Sequence, residues 1–191
     1  MSDFVLRGGE VVFPDRKPAK HDILVEGGKV KALLAPGAKV PPGTPEQSVD
    51  GLHVFPGLID AHVHTPPRIA LGNQQLFALL YLAHGVTSIR DVGQSEESVA
   101  VWAKAINTGT DIGPHVYRCG PVLDGKDPGW PSALQVLTPE DGKKAVAMLA
   151  AEGVDCIKTY NHVDAATFRA VSEEAATKNL EMVGHVPHLV G

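Results

Sequence analysis

Pro56-Gly57-Leu58-Ile59-Asp60-Ala61-His62-Val63-His64 is an apolar run that closes on two histidines separated by one residue. Side chains alternate faces along a β-strand, so residues i and i+2 point the same way. Read as a strand, the run sends His62 and His64 out of its C-terminal end together, at a spacing that lets two imidazoles meet one metal ion. Histidines at this spacing also occur on exposed strands without any ligand role, so the pair alone is evenly balanced between the two readings. What lies on either side of it decides the fold.

Upstream, from Phe4 to about Val54, the chain passes through short β-rich segments: Phe4-Val5-Leu6, Glu10-Val11-Val12-Phe13, Asp22-Ile23-Leu24-Val25-Glu26 and Lys29-Val30-Lys31-Ala32-Leu33-Leu34. Gly8-Gly9 and Gly27-Gly28 each fall between two segments, where glycine supplies the positive φ of a tight hairpin. No helix or further glycine follows either pair, which disfavours a phosphate cradle. Pro36 to Gln47, rich in Pro and Gly, reads as a surface loop.

Downstream the texture changes to alternating strand and helix. Apolar runs end at His64, Asp91, about Leu123, Tyr160 and Pro187, roughly 30 residues apart, the length of a βα unit. Helical periodicity fills the intervals, as in Ala145, Met148 and Leu149, with Glu152-Gly153 closing a helix. Five βα steps predict repeated right-handed crossovers in a parallel sheet, and so an α/β fold in which a (β/α)8 TIM-type barrel is begun. A whole barrel takes about 200 residues or more, more than follow residue 55, so the expectation is a partial barrel that stops after five units.

The 191 residues are 43% hydrophobic, and 17 Lys+Arg stand against 22 Asp+Glu for a net charge of -5. There is no basic surplus to suit a phosphate backbone, which argues against nucleic-acid binding. The start at Met1-Ser2-Asp3 has neither a basic stretch nor a long apolar run, and the longest apolar segment, near Leu76 to Ala83, is too short to span a bilayer. The chain therefore reads as soluble and cytoplasmic. Cys119 and Cys156 lie in apolar stretches without paired spacing and read as reduced, buried thiols.

The run from Pro56 to His64 resembles the amidohydrolase superfamily, in which a Pro-Gly-(Leu/Phe)-Ile-Asp-x-His-x-His strand follows a small β-domain and opens the barrel. Gly85-Val86-Thr87-Ser88-Ile89-Arg90-Asp91 is similar to the second strand, Gly153-Val154-Asp155-Cys156-Ile157-Lys158 to the fourth and Val183-Gly184-His185-Val186-Pro187 to the fifth. The details resemble the imidazolonepropionase-like branch, which includes prolidase-type dipeptidases. The resemblance implies two domains: residues 1–55 as the N-terminal part of a small β-sandwich, and 56–191 as the first five βα units of a metal-dependent hydrolase barrel.

It also implies a ligand set of His62, His64, Lys158 and His185. Lys158 would act as a carbamate bridging two metals, which requires a neutral amine to capture carbon dioxide; burial beside cations favours that form. Three histidines and a carbamate oxygen suit one or two divalent ions, zinc foremost. The sixth-strand histidine and the eighth-strand aspartate of the family have no counterparts here, so the general base is expected to be absent and the chain inactive by itself. An incomplete barrel is also expected to associate with itself. The implied activity is metal-assisted hydrolysis of a carbon-nitrogen bond in a small amide, cyclic amide or dipeptide. Rival readings are an esterase, lactonase or phosphoesterase on the same metals, and a non-catalytic scaffold.

Against each assignment stands a plainer role. Lys158 reads equally as a strand-end lysine reaching solvent, and His185 as a hydrogen-bonded core histidine. Tyr160, Asn161 and His162 follow Lys158 at the barrel mouth, where they would bind substrate or cap the next helix. His188 is a substitute ligand in a loop. His21, His53, His84, His115 and His162 read first as surface or packing residues. Asp91 is expected to brace a neighbouring loop and Asp164 to N-cap a helix. Asp127 to Pro131, with Trp130, form a long loop that could serve as a lid.

Overall fold

The computed structural model describes residues 3–66, 73–94 and 97–190; Met1 and Ser2 of the N-terminal stretch and Gly191 lie outside them. Two compact units divide the chain, Met1–Pro56 and Gly57–Gly191.

The first unit is one five-stranded sheet of β1 (Phe4–Val11), β2 (Ala19–Glu26), β3 (Lys29–Leu34), β4 (Glu46–Ser48) and β5 (His53–Val54). β1 pairs antiparallel with β2 and β2 with β3, whereas β4 and β5 lie parallel to β1. Gly27 and Gly28, with φ of 57° and 76°, close the β2–β3 hairpin as expected. Gly8-Gly9 does not. β1 continues through the pair, and its register to β2 shifts between Leu6 and Gly9, a β-bulge. Asp22 of β2 takes the displaced Gly8 N–H at 2.9 Å, and a Cβ on Gly9 would lie 2.8 Å from Val54. The glycines serve a bulge and a close approach, which sequence alone does not distinguish from a turn. Asp22 also accepts from Gly37 N at 2.8 Å and from Arg7 at 2.7 Å. Burial would raise its pKa, but these hydrogen bonds hold it below the ordinary carboxylate range. The loop from Pro36 ends earlier than expected, since Glu46 and Gln47 belong to β4.

The second unit alternates β6 (Leu58–Val63), α1 (Asn73–Ala83), β7 (Val86–Asp91), α2 (Glu97–Asn107), β8 (His115–Arg118), β9 (Leu123–Asp124), β10 (Leu134–Gln135), α3 (Pro139–Ala151), β11 (Cys156–Thr159), α4 (Ala165–Thr177) and β12 (Glu181–Gly184). Its ladders are parallel throughout, in the orders β6-β7-β8 and β10-β9-β11-β12. The third expected strand breaks into β8 and β9. Gly120 sits at φ 70° and is followed by Pro121, which has no N–H to give a ladder.

α3 begins at an N-cap, Thr138, followed by Pro139 at N1, and ends before Gly153 at φ 71°. Gly142, Ala145, Val146 and Leu149 form its buried stripe; Met148, which looked periodic, faces outward. Asp164 caps α4 by accepting from Ala166 N and Thr167 N. One core joins Leu123, Val146, Leu149, Ile157, Val163 and Val171, and another joins Val63, Ile89, Trp102 and Val116. Among the described residues no helix is long and apolar enough to cross a membrane.

The cysteines correct the sequence reading. Cys119, just after β8, and Cys156, at the start of β11, are joined in a disulfide, with Cα atoms 4.4 Å apart. They are 37 residues apart in sequence, so no local spacing announces the pair; the hydrogen bond from Asp155 N to Arg118 O, at 2.8 Å, holds the two neighbouring stretches side by side. Both are buried beside Val92 and Val183.

Candidate metal centre

His62 lies inside β6 and Lys158 inside β11, while His64 and His185 each follow the last or near-last residue of a strand, β6 and β12. All four therefore sit toward C-terminal strand ends. The i, i+2 spacing does bring the first pair together: the His62 and His64 rings meet edge to face, centroids 5.3 Å apart. The charge of Lys158 acts on both His62 and His185, and His62 acts on His185. The four residues thus share one electrostatic neighbourhood.

Burial, reinforced by the charges of Lys158, His64 and Arg90, lowers the pKa of His62. Burial, then Lys158, His62 and His188, lowers that of His185. Both imidazoles are accordingly neutral at pH 7, the form that ligates metals. Lys158 is 3% exposed and, among the described residues, has no hydrogen bond or ion pair. Burial and the neighbouring Arg90 push its pKa down, toward the neutral amine.

Two glycines make room for these groups. Gly184, at φ 124°, lies against Thr159 so closely that a Cβ would collide with the Thr159 carbonyl oxygen and approach Lys158 Cδ to 2.9 Å. A Cβ on Gly93 would come within 3.3 Å of the His64 ring.

A second layer packs on the histidines. Trp130 stacks on His64, centroids 4.6 Å apart and planes 26° from parallel. Tyr160 packs on His185 at 4.4 Å. His185 Nδ1–H donates to Asn161 Oδ1 at 2.8 Å, which leaves the lone pair on Nε2. Tyr160 and Asn161 therefore already hold a histidine. His162 turns elsewhere, its ring Nδ1 3.8 Å from Asp124 Oδ2 and 6.2 Å, centroid to centroid, from His188. The backbone N–H of His188 donates to Asn161 O. Asp91 braces the loop after β6, accepting from Thr65 N at 2.7 Å and Gly93 N at 3.2 Å.

Four other histidines have partners of their own. His21 bonds Leu34 O, His53 meets Glu10, His84 bonds Leu80 O, and His115 packs on Tyr117. Among the described residues, no three His, Cys, Asp or Glu side chains form a group able to hold a metal ion. The cluster fits a metal only if Lys158 supplies a donor, and a buried, unpartnered amine is chemically suited to do so as a carbamate. Sequence reading missed Asp124, whose Asp-Gly-Lys-Asp-Pro-Gly surroundings suggest an ordinary turn. The available signal was an acidic residue directly after the apolar Val122-Leu123, closing a strand as Asp91 closes β7.

The sequence pattern of the Amidohydrolase family matches residues 53–190. The chain belongs to the amidohydrolase family. Members are generally metal-dependent hydrolases. This amidohydrolase chain is 46% identical to a dihydroorotase of Desulforapulum autotrophicum over 59 residues, 30% of the chain and 14% of that enzyme. It is 32% identical to an adenine deaminase of Deinococcus radiodurans over 127 residues, 62% of the chain and 22% of that enzyme. The solved structure of a putative prolidase from Bifidobacterium longum superposes with a TM-score of 0.86 at 26% identity, covering 97% of this chain and 49% of the prolidase. The matched stretches thus span less than a quarter of each of those two curated relatives and about half of the prolidase.

Proposed function

We propose that this amidohydrolase chain contributes to a metal-assisted hydrolase acting on a carbon-nitrogen bond of a small molecule, an amide, cyclic amide or dipeptide. In this reading Gly57–Gly191 supplies the first five strands of a (β/α)8 barrel, and the first unit supplies part of a β-sandwich. His62, His64, His185 and a carbamate on Lys158 hold one or two divalent ions, zinc foremost. The observation that supports it is that two histidines near the ends of parallel strands, both with lowered pKa, each feel the charge of one buried, unpartnered lysine. The relatives' names, dihydroorotase and adenine deaminase, support carbon-nitrogen chemistry.

Divalent ions at such a site supply an activated water and a polarised carbonyl. The chain's own residues prepare the place. His62 and His185 stay neutral and keep their lone pairs, and Asn161 fixes the His185 proton on Nδ1. Trp130 and Tyr160 each pack on one face of His64 and His185 and hold those rings in place. Tyr160, Asn161 and His162 line the mouth where substrate would enter.

The test is metal content and hydrolysis of a panel of amides and esters, measured on the native protein and on His62→Ala. Zinc lost with His62→Ala, together with turnover of amides over esters, supports the reading. Unchanged metal in that variant would contradict it.

A further inference from the structure

We infer that Asp124 is the positioning residue of this site: one buried carboxylate at the end of β9 fixes both loops that pack on the strand-end histidines, His64 and His185. The inference deepens the metal-site reading and rests on it for its functional meaning. Asp124 is fully buried. Its Oδ2 accepts from Gly129 N at 2.9 Å; its Oδ1 accepts from Gly125 N at 2.9 Å and His162 N at 2.7 Å. Among the described residues no lysine or arginine pairs with it; besides the His162 ring at 3.8 Å, its partners are backbone N–H groups, and a carboxylate acceptor strengthens such bonds.

Two of those bonds, from Gly129 and His162, end beside a contact to a proposed ligand. The residue after Gly129 is Trp130, which stacks on His64. The two residues before His162 are Asn161, which accepts from His185 Nδ1, and Tyr160, which packs on the His185 ring. The two loops also leave no slack between them. A Cβ at Gly125 would run into the His162 carbonyl, and one at Gly129 would lie 2.9 Å from the Tyr160 ring. Orientation of a ligating imidazole is set by what holds its ring and its second nitrogen. Asp124 therefore sets the orientation of both histidines without touching either.

Asp124→Asn separates the arms, because an amide offers one acceptor oxygen where the carboxylate uses two. The experiment follows the histidine ring resonances of the metal-free protein by NMR in Asp124→Asn. Gly129→Ala, which pushes the same loop off Tyr160, serves as a second variant should the first fail to fold. The expected result is a shift of the His64 and His185 ring signals together, with those of His21, His53, His84 and His115 unmoved. A lost structural brace would lower stability without selecting those two rings. Movement of neither ring, or of only one, in a folded variant overturns the inference. Adding zinc to the unmutated protein separates the two readings: if no histidine signal responds, the metal-site reading fails, while the shift pattern without metal still decides the role of Asp124.

Discussion

β11 and β6 each carry a proposed ligand, yet they are built in opposite ways. All four residues of β11 are buried, and the strand lies between β9 and β12 under α3 and α4. In β6 only Val63 is buried; Ile59 is 69% exposed and β7 is its one described neighbour. The donors match their settings. A lysine becomes a donor only after losing a proton that water would leave in place, and deep burial drives that loss. An imidazole gives up its proton at far lower pH than an ammonium, so a ligand role on β6 does not ask for the deep burial that it asks on β11. The contrast teaches that the packed half of the unit prepares its proposed ligand by deep burial, whereas the open half brings its two proposed ligands together by their spacing of two residues.

The largest effect should come from the disulfide that anchors β11 to the end of β8. Cys119→Ser with Cys156→Ser should cost about 4 kcal/mol by the chain-entropy relation for a loop of this separation, read from urea unfolding. An unchanged midpoint would remove the tether from the account of why β11 is so well packed. Next, Ile157→Ala should cost about 3 kcal/mol, as expected for a fully buried branched side chain. Ile59→Ala on β6 should stay within about 0.5 kcal/mol. Equal losses at the two positions would break the comparison.

Titration sharpens it further. The folded-state pKa of Lys158 is depressed, so the unfolded chain binds that proton more readily. Stability should therefore rise with pH up to the lysine's ordinary value of 10.5. Below the depressed pKa both states carry the proton, and the penalty is complete. Lys158→Met should abolish that alkaline slope and stabilise the metal-free protein near pH 7. His62 and His185, also depressed, act at lower pH: stability is lost as pH falls from 6.5 toward their folded values, because the unfolded state gains protons first. His62→Gln with His185→Gln should flatten that acid limb. The smallest of these effects is expected at Asp22 in the first unit, whose depressed pKa contributes stability above the ordinary carboxylate value. That contribution is lost only as pH falls through its lowered folded pKa; Asp22→Asn should remove the loss.

These contrasts also show what was legible in the sequence. The alternation of strands and helices, the caps Thr138 and Asp164 and the pairing of His62 with His64 depend on neighbours within a few residues, and each could be read locally. Gly8-Gly9 could not, because a turn and a bulge ask the same φ of glycine and only Asp22, on another strand, selects the bulge. The Cys119–Cys156 bond and the three N–H groups on Asp124 join residues far apart in sequence. Met148 departs for a smaller reason: it lies within the helical pattern but misses the buried stripe by one position.

The central claim is that Lys158 is a metal donor and not merely a buried lysine. The most direct measurement is 13C NMR of the protein supplied with 13C-labelled bicarbonate, with and without zinc. The account predicts a single carbamate carbon that strengthens with zinc, disappears in Lys158→Met and persists in Ile59→Ala. Zinc bound at His62 and His185 with no carbamate signal, or a signal that survives Lys158→Met, would contradict it.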